Sequence, residues 1–275
     1  MASIRQMSYL PPEGIPARVE AMTFARLREL DRGESQRGDF LVAALVRSGR
    51  GEVALDFRSV LLEPHSIVWI GSGVVHQWVD ITHLDGDLVI FPPTAPVAPS
   101  ARVLTTMPGI GAAWGAVADE WELLDQAMLH LGAEFHKTLE APTSPPEILG
   151  SLLSALILRA SPEDQLVAAA NTVFQEFRAA VEADLGNRHD VEYYARLLSY
   201  SPRTLSRAAY RGTGKSAKSY LAERVVLEAQ RLLVHEGCSL KEVSQRLGFG
   251  DPSAFSAFFR RETGLTPGSW RNLYV

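Results

Sequence analysis

The sequence predicts an α+β protein with a strand-rich N-terminal half and an all-helical C-terminal domain. In the first hundred residues, short apolar runs are interrupted by Gly and Pro, whereas from about residue 116 apolar residues recur at helical spacing. Two C-terminal segments also resemble each other at an offset of 50 residues. A length of 275 residues favours two domains, because one core rarely grows beyond about 250 to 300 residues.

Five strands are predicted in the N-terminal half from runs that are apolar or alternate with period two. Turn residues such as Gly71-Ser-Gly73 and Pro92-Pro93 separate or close these runs. The predicted strands are 40–46, 53–57, 66–70, 74–79 and 87–91. Strands this short, with turns this frequent, are typical of a small sandwich or barrel.

Two helices are predicted next. Apolar residues from Val117 to Phe135 recur at spacings of three and four, and a second apolar helix covers 148–158. Broad apolar faces on adjacent helices indicate packing on their own domain. The alternative is that one of the two helices provides a dimerisation face. We predict that residues 116–162 form a helical linker and dimerisation segment.

Composition excludes several classes of protein. One cysteine, Cys238, allows no internal disulfide and no Cys-rich zinc site, which favours a reducing cytoplasm. No apolar stretch reaches the 18 or so residues that a membrane span needs, and the N terminus lacks a secretory signal pattern. We therefore expect a cytoplasmic protein without a membrane partner.

Charge is divided unequally along the chain. The net charge is −5, but residues 186–275 hold 14 Lys+Arg and 8 Asp+Glu, a net of +6. The first 185 residues carry −11. Such asymmetry is typical of an anion-binding module joined to another domain.

The C-terminal repeat predicts two helix-turn-helix units. Each copy has a capping residue, Ser201 or Asp251, followed by a proline that suits the first helical turn. Short helices are predicted upstream, at 191–198 and 240–247, with small residues that allow close helix packing. A helix over 216–235 separates the copies by roughly 30 Å, close to the roughly 34 Å turn of B-DNA. The second helix of each unit can therefore enter successive major grooves.

The region 166–275 resembles the DNA-binding domain of AraC/XylS-type bacterial transcription regulators. The resemblance is most specific over 239–271, together with Glu228-Ala-Gln-Arg-Leu-Leu233. It implies that the second helix of each unit reads bases. The base-contact residues implied are Arg203, Thr204, Ser206, Arg207, Ser253, Ala254, Ser256 and Ala257.

Arg203 and Arg207 are the strongest of these candidates, because arginine makes bidentate contacts with guanine. A phosphate contact is the alternative for either residue. The family usually has arginine where Ala257 stands, so base reading by the second unit should be poorer. The predicted phosphate contacts are Lys215, Lys218, Arg260, Arg261 and Arg271.

The N-terminal half is similar to the cupin-type sensor domain that many such regulators carry. This resemblance implies a cupin-like β-barrel over 1–115, and His76, Trp69 and Trp78 are the candidate effector-binding residues; ordinary core positions are their alternative. A single histidine at His76 provides no catalytic metal site, so we predict no metal, no cofactor and no enzymatic activity.

The predicted protein is thus a sequence-specific regulator that joins the sensor and the dimerisation segment to a DNA-binding domain at 163–275. Its expected partners are double-stranded promoter DNA, a small-molecule effector, a second copy and, for an activator, RNA polymerase. The alternatives are a regulator without a ligand and a cupin-like metal-dependent enzyme. A loose phosphate-loop pattern at 209–216 follows a predicted helix and not a strand, which argues against nucleotide binding.

Overall fold

The computed structural model describes residues 4–9, 19–105, 111–116, 118–140 and 145–274. Two compact units divide the chain, the first ending at Pro162 and the second beginning at Glu163. No helix among the described residues is both long enough and apolar enough to cross a membrane.

The described residues of the N-terminal unit contain ten strands. They are β1 (Arg5–Met7), β2 (Glu20–Thr23), β3 (Gln36–Gly38), β4 (Leu41–Ser48), β5 (Gly51–Leu55), β6 (Arg58–Leu62), β7 (Ser66–Ile70), β8 (Val75–Asp80), β9 (Asp85–Phe91) and β10 (Gly111–Gly115). The first sheet has the order β1-β3-β8-β5-β6, and the second has the order β10-β7-β4-β9-β2. These described strands form two sheets that share no strand, so the closed cupin-like barrel stays a prediction.

Alternation along the strands builds a core between the two sheets. Val42 and Ala44 of β4 join the same apolar cluster as Val68 of β7 and Trp78 of β8. Ala43 lies on the other face of β4 and is also buried. A strand that is buried on both faces reads as a continuous apolar run, which explains the uninterrupted pattern predicted at 40–46.

The described part of this unit also has four helices: α1 (Phe24–Leu30), α2 (Pro99–Thr105), α3 (Ala118–Glu140) and α4 (Pro146–Ala160). The predicted stripe on α3 is confirmed, since its members from Trp121 to Phe135 are buried; Val117 lies outside the described residues. Arg47 of β4 ties α3 to the second sheet, because its guanidinium lies 2.6 Å from Asp125 of α3 and 2.5 Å from Asp87 of β9.

Every regular element among the described residues of the C-terminal unit is a helix, as predicted. Its helices are α5 (Glu163–Ala170), α6 (Thr172–Asp184), α7 (Val191–Leu197), α8 (Pro202–Thr213), α9 (Ala217–Val234), α10 (Leu240–Arg246), α11 (Pro252–Thr263) and α12 (Pro267–Tyr274). Pairs α7–α8 and α10–α11 are the two predicted helix-turn-helix units.

Candidate nucleic-acid interface

The second helices of the two units, α8 and α11, begin at the predicted caps. Ser201 Oγ accepts a hydrogen bond from the Thr204 amide at 3.0 Å. Asp251 Oδ1 accepts from the amides of Ser253 at 2.7 Å and Ala254 at 2.9 Å. These side chains satisfy amides that the first helical turn leaves free, so both helices have a fixed start.

The turns inside the two units have the same hydrogen-bonding pattern. The Tyr200 amide donates to the Ala195 carbonyl at 2.8 Å, and the Phe249 amide donates to the Ser244 carbonyl at 2.9 Å. Ala195 and Ser244 are both buried, which confirms that small residues stand where the helices approach closely. The second turn is one residue longer, so the repeat offset changes from 49 residues before the turn to 50 after it.

Gly248 in the second turn is required for two reasons. Its φ of +68° lies in the left-handed region that favours glycine. A Cβ at this position would also lie 2.5 Å from the carbonyl oxygen of Gly186. The loop before α7 therefore packs directly against the turn of the second unit.

Helix α9 connects the two units and spans 18 residues, or about 27 Å. Its buried face includes Leu221, Val225 and Ala229, as the sequence predicted. Arg224 on the same helix forms a bidentate ion pair with Glu182 of α6, at 2.6 and 3.1 Å. Burial disfavours the Arg224 charge, but this pairing outweighs it and raises the pKa of Arg224.

Helix α8 presents the predicted base-contact residues on its outer surface. Arg203 and Arg207 are exposed, and Leu205 is fully buried on the opposite side. Thr204 and Ser206 are partly exposed. The Thr204 hydroxyl lies 2.8 Å from that of Ser201, so it takes part in the helix cap.

Helix α11 presents a smaller and uncharged surface in its first two turns. Ser253, Ala254 and Ala257 are exposed. Ser256 is partly buried, and its hydroxyl donates to the Pro252 carbonyl at 2.8 Å. That hydroxyl proton is already used within the helix, so α11 has fewer free donors along this surface than α8.

The five predicted phosphate contacts differ in their surroundings. Lys218 and Arg260 are exposed, and neither has an ion pair among the described residues. Lys215 lies 2.7 Å from Glu223, and Arg261 lies 2.7 Å from Glu262, on exposed side chains where such pairs are weak.

Arg271 occupies a different environment. Its Nε donates to the Leu233 carbonyl at 3.0 Å, and its terminal nitrogen donates to the Cys238 carbonyl. This guanidinium therefore holds α12 against the end of α9. Cys238 itself has a pKa raised by burial, which disfavours a reactive thiolate.

The three candidate effector residues do not line one space. Trp78 belongs to the core between the sheets, and His76, two residues away on β8, contacts it with ring centroids 6.5 Å apart. Trp69 pairs in register with Ala43 and packs on Phe91, so it lies on the opposite face of the second sheet. Burial lowers the pKa of His76 to about 4, so this imidazole is neutral at pH 7.

Two further predictions can be compared with the structure. Most of the phosphate-loop-like segment 209–216 lies inside α8, and Gly214 within it is the left-handed C-cap of that helix. No group of three or more His, Cys, Asp or Glu side chains in the described residues is arranged to hold a metal ion.

Sequence reasoning missed Tyr210, which lies one turn beyond Arg207 on α8. Its side chain is 67% exposed, an unusual degree for a tyrosine in a helix. Helical spacing from Arg203 and Arg207 would have placed it on the same surface.

Comparisons with known proteins match both helix-turn-helix units. A family model described as a helix-turn-helix domain matches residues 194–273. The chain is 24% identical over 244 residues to the HTH-type transcriptional activator RhaR of Escherichia coli O139:H28, with 86% of each chain covered.

Two solved structures are each similar to a part of the chain. An AraC-type DNA-binding domain-containing regulator from Chromobacterium violaceum is 22% identical, covering 39% of this chain and 96% of that one, with a TM-score of 0.35. The DNA-binding domain of the global transcriptional factor AdpA, in complex with a target DNA, is 36% identical, covering 37% and 91%, with a TM-score of 0.34.

Proposed function

We propose that this chain is a transcriptional regulator of the AraC/XylS family and that it binds promoter DNA by placing α8 and α11 in successive major grooves. The observation that carries the proposal is the pair of capped helices joined by α9. Helix α9 is about 27 Å long, which is comparable with the roughly 34 Å turn of B-DNA.

The two units contribute unequally to sequence recognition in this proposal. Arg203 and Arg207 of α8 contact guanines, while Thr204 and Ser206 make the smaller polar contacts beside them. On α11, Ala254 and Ala257 contribute methyl contacts, and Ser253 and Ser256 contribute fit to the shape of the groove. Lys215, Lys218, Arg260 and Arg261 contact phosphates; Arg271 remains in this set only by the family resemblance, since its guanidinium binds two carbonyls.

Selection from random duplexes, followed by hydroxyl-radical footprinting upstream of the chain's own gene, tests DNA binding. We expect two protected blocks on one face of the DNA, centred about 10 base pairs apart. One block should be strongly constrained in sequence and the other weakly. Failure to enrich any sequence, with no protection of the upstream DNA at low salt, would contradict the proposal.

The N-terminal unit is proposed to sense a small molecule and thereby change DNA binding. The two compact units differ in net charge: residues 1–162 hold 12 Lys+Arg and 19 Asp+Glu, a net of −7, whereas residues 163–275 hold 15 Lys+Arg and 13 Asp+Glu, a net of +2. This difference supports a division of roles between a sensing unit and a DNA-binding unit. A switch requires the effector to bind two states of the protein with different affinity. Calorimetry and thermal shift of the full chain against a broad metabolite panel test it, and no response across the panel would favour a regulator without a ligand.

Helix α3 is proposed to pair with α3 of a second copy. Leu129 and Leu139 are exposed about 80° apart around this helix, and the residues lining an apolar groove of about 210 Å³ include Leu129, Gly132 and Ala133.

Analytical ultracentrifugation tests this pairing. We expect a mass of twice 30.1 kDa for the wild type and a monomer for Leu129→Glu. The control is Leu61→Glu on β6, where a leucine 77% exposed lies far from α3 in sequence; it should remain dimeric. A monomeric wild type would contradict the proposal.

The protein is proposed to act in the cytoplasm, where bacterial promoters lie. The relative RhaR is named as a transcriptional activator. If this chain also activates transcription, it is proposed to contact RNA polymerase.

A further inference from the structure

Tyr210 is an exposed aromatic residue on the proposed DNA-binding surface. Among the described Phe, Trp and Tyr residues, only Tyr210 and Tyr274 are exposed, at 67% and 43%. Tyr274 lies against Trp270, with ring centroids 5.1 Å apart. Tyr210 is therefore the aromatic side chain most available to a binding partner.

The position of Tyr210 on α8 follows from helical geometry. At about 100° per residue, it lies about 20° around the helix from Arg203 and about 60° from Arg207. The buried residues Leu205 and Ala209 occupy the other side. Tyr210 thus continues the outward stripe of the two arginines, about 4.5 Å further along the axis than Arg207.

We propose that the Tyr210 hydroxyl donates a hydrogen bond to a backbone phosphate oxygen at the rim of the major groove that α8 enters. This inference rests on the proposed DNA-binding function. Residue 210 lies about 12 Å from the start of α8, whereas helix-turn-helix proteins contact bases chiefly with the first residues of this helix. The later turns rise past the groove wall, where a phenol meets phosphate and sugar.

The second unit has a charged residue at the equivalent position. An offset of 50 residues aligns Tyr210 with Arg260, which is also exposed. Both side chains can donate to phosphate, but only arginine neutralises its charge and releases a condensed counterion. Tyr210 should therefore strengthen binding without increasing its dependence on salt.

Fluorescence anisotropy of the full chain can measure this contribution. The probes are a labelled duplex recovered by selection with the wild type and a labelled duplex of random sequence, each titrated over a range of salt concentrations. The variants are Tyr210→Ala, Tyr210→Phe and Tyr210→Arg. The matched control is Tyr200→Phe, whose hydroxyl already binds the Glu176 carboxylate at 2.9 Å.

We expect Tyr210→Ala to bind both duplexes about tenfold more weakly, because a hydrogen bond to a charged group is lost. Tyr210→Phe should lose most of that factor, and both variants should keep the wild-type salt slope. Tyr210→Arg should steepen the slope by about 0.9. Tyr200→Phe should bind as the wild type does.

Neutral methylphosphonate substitutions along the selected duplex then locate the contact. One position should weaken the wild type but not Tyr210→Ala, since the variant has already lost that bond. Unchanged affinity of Tyr210→Ala would overturn the inference while leaving the proposed function intact. A loss confined to the selected duplex would also overturn it, by indicating a base contact. Absence of DNA binding by the wild type would instead refute the proposed function.

Discussion

Arg224 of the connecting helix and Glu182 of α6 form a bidentate ion pair, with Nε 2.6 Å from Oε1 and a terminal nitrogen 3.1 Å from Oε2. Only a tenth of the Arg224 side chain is exposed. The pair holds α9 against the helix that precedes the first unit. The spacing of α8 and α11 thus depends on a partly buried charge pair as well as on apolar packing.

Replacing Glu182 with Gln should destabilise the C-terminal unit by about 2 to 3 kcal/mol, because the buried Arg224 charge loses its partner. Urea unfolding of the full chain, followed by a probe of helical content, measures the change. The control is Glu223→Gln, which removes the partner of Lys215 on the exposed side of α9 and should cost less than about 1 kcal/mol. Equal losses for the two variants would contradict the prediction.

Arg207→Ala should weaken binding to the selected duplex by about 1 to 3 kcal/mol, because one bidentate base contact is lost. Competition binding against random-sequence DNA is the measurement. Arg58→Ala serves as the control, since this exposed arginine lies on β6 of the N-terminal unit, and its affinity should be unchanged. If Arg207→Ala lost the same factor on random DNA, the residue would be a phosphate contact.

Gly248→Ala should destabilise the C-terminal unit by about 2 to 4 kcal/mol, from a left-handed backbone and from the clash with the Gly186 carbonyl. Gly264→Ala separates the two causes. Gly264 has a similar φ of +77°, but a Cβ there meets no atom within 4 Å, so we expect a loss of about 1 kcal/mol. Chemical denaturation compares the variants, and a Gly248→Ala loss no larger than that of Gly264→Ala would argue against the close approach.

His76 should make the N-terminal unit less stable as the pH falls. Its folded pKa is about 4, below the ordinary value of 6.5, so between these values the unfolded chain binds a proton that the folded chain does not. The stability that the neutral imidazole retains at pH 7 is lost progressively below pH 6.5. By about pH 4 the loss should reach about 3 kcal/mol.

The measurement is the free energy of unfolding of this unit between pH 7 and pH 4, compared with that of His76→Gln. The variant should lose less stability over this range, whatever its stability at pH 7. His83→Gln changes an exposed histidine and should follow the wild type. Parallel pH curves for the wild type and His76→Gln would rule out the titration of His76.

Local signals explain why the C-terminal unit could be predicted closely. Ser201 and Asp251 cap helices through bonds that span only three residues, and apolar spacing along α9 reflects a single buried face. The buried stripe of α3 was predictable for the same reason. Each of these features depends on neighbours within one or two helical turns.

The sequence did not predict β2, β3 and β6, because their residues show little of the apolar alternation that marks a strand. β6 is an edge strand in which Arg58 and Ser59 are exposed, and its pairing with β5 decides that it is a strand. β2 and β3 are four and three residues long, too short for a period to be recognised. These two segments are identified as strands by their pairing with neighbours, β2 with β9 and β3 with β8.

By itself, the sequence determined the tandem units, their caps, the connecting helix and the exposed arginines Arg203 and Arg207, because all of these follow from short-range spacing and repetition. Only the tertiary structure decided that Trp69 lies on the opposite face of its sheet from the core that holds Trp78, and that Arg271 binds two carbonyls. It also brought Gly248 against Gly186 and paired Arg224 with Glu182. These contacts join residues far apart in the chain, so no local pattern specifies them.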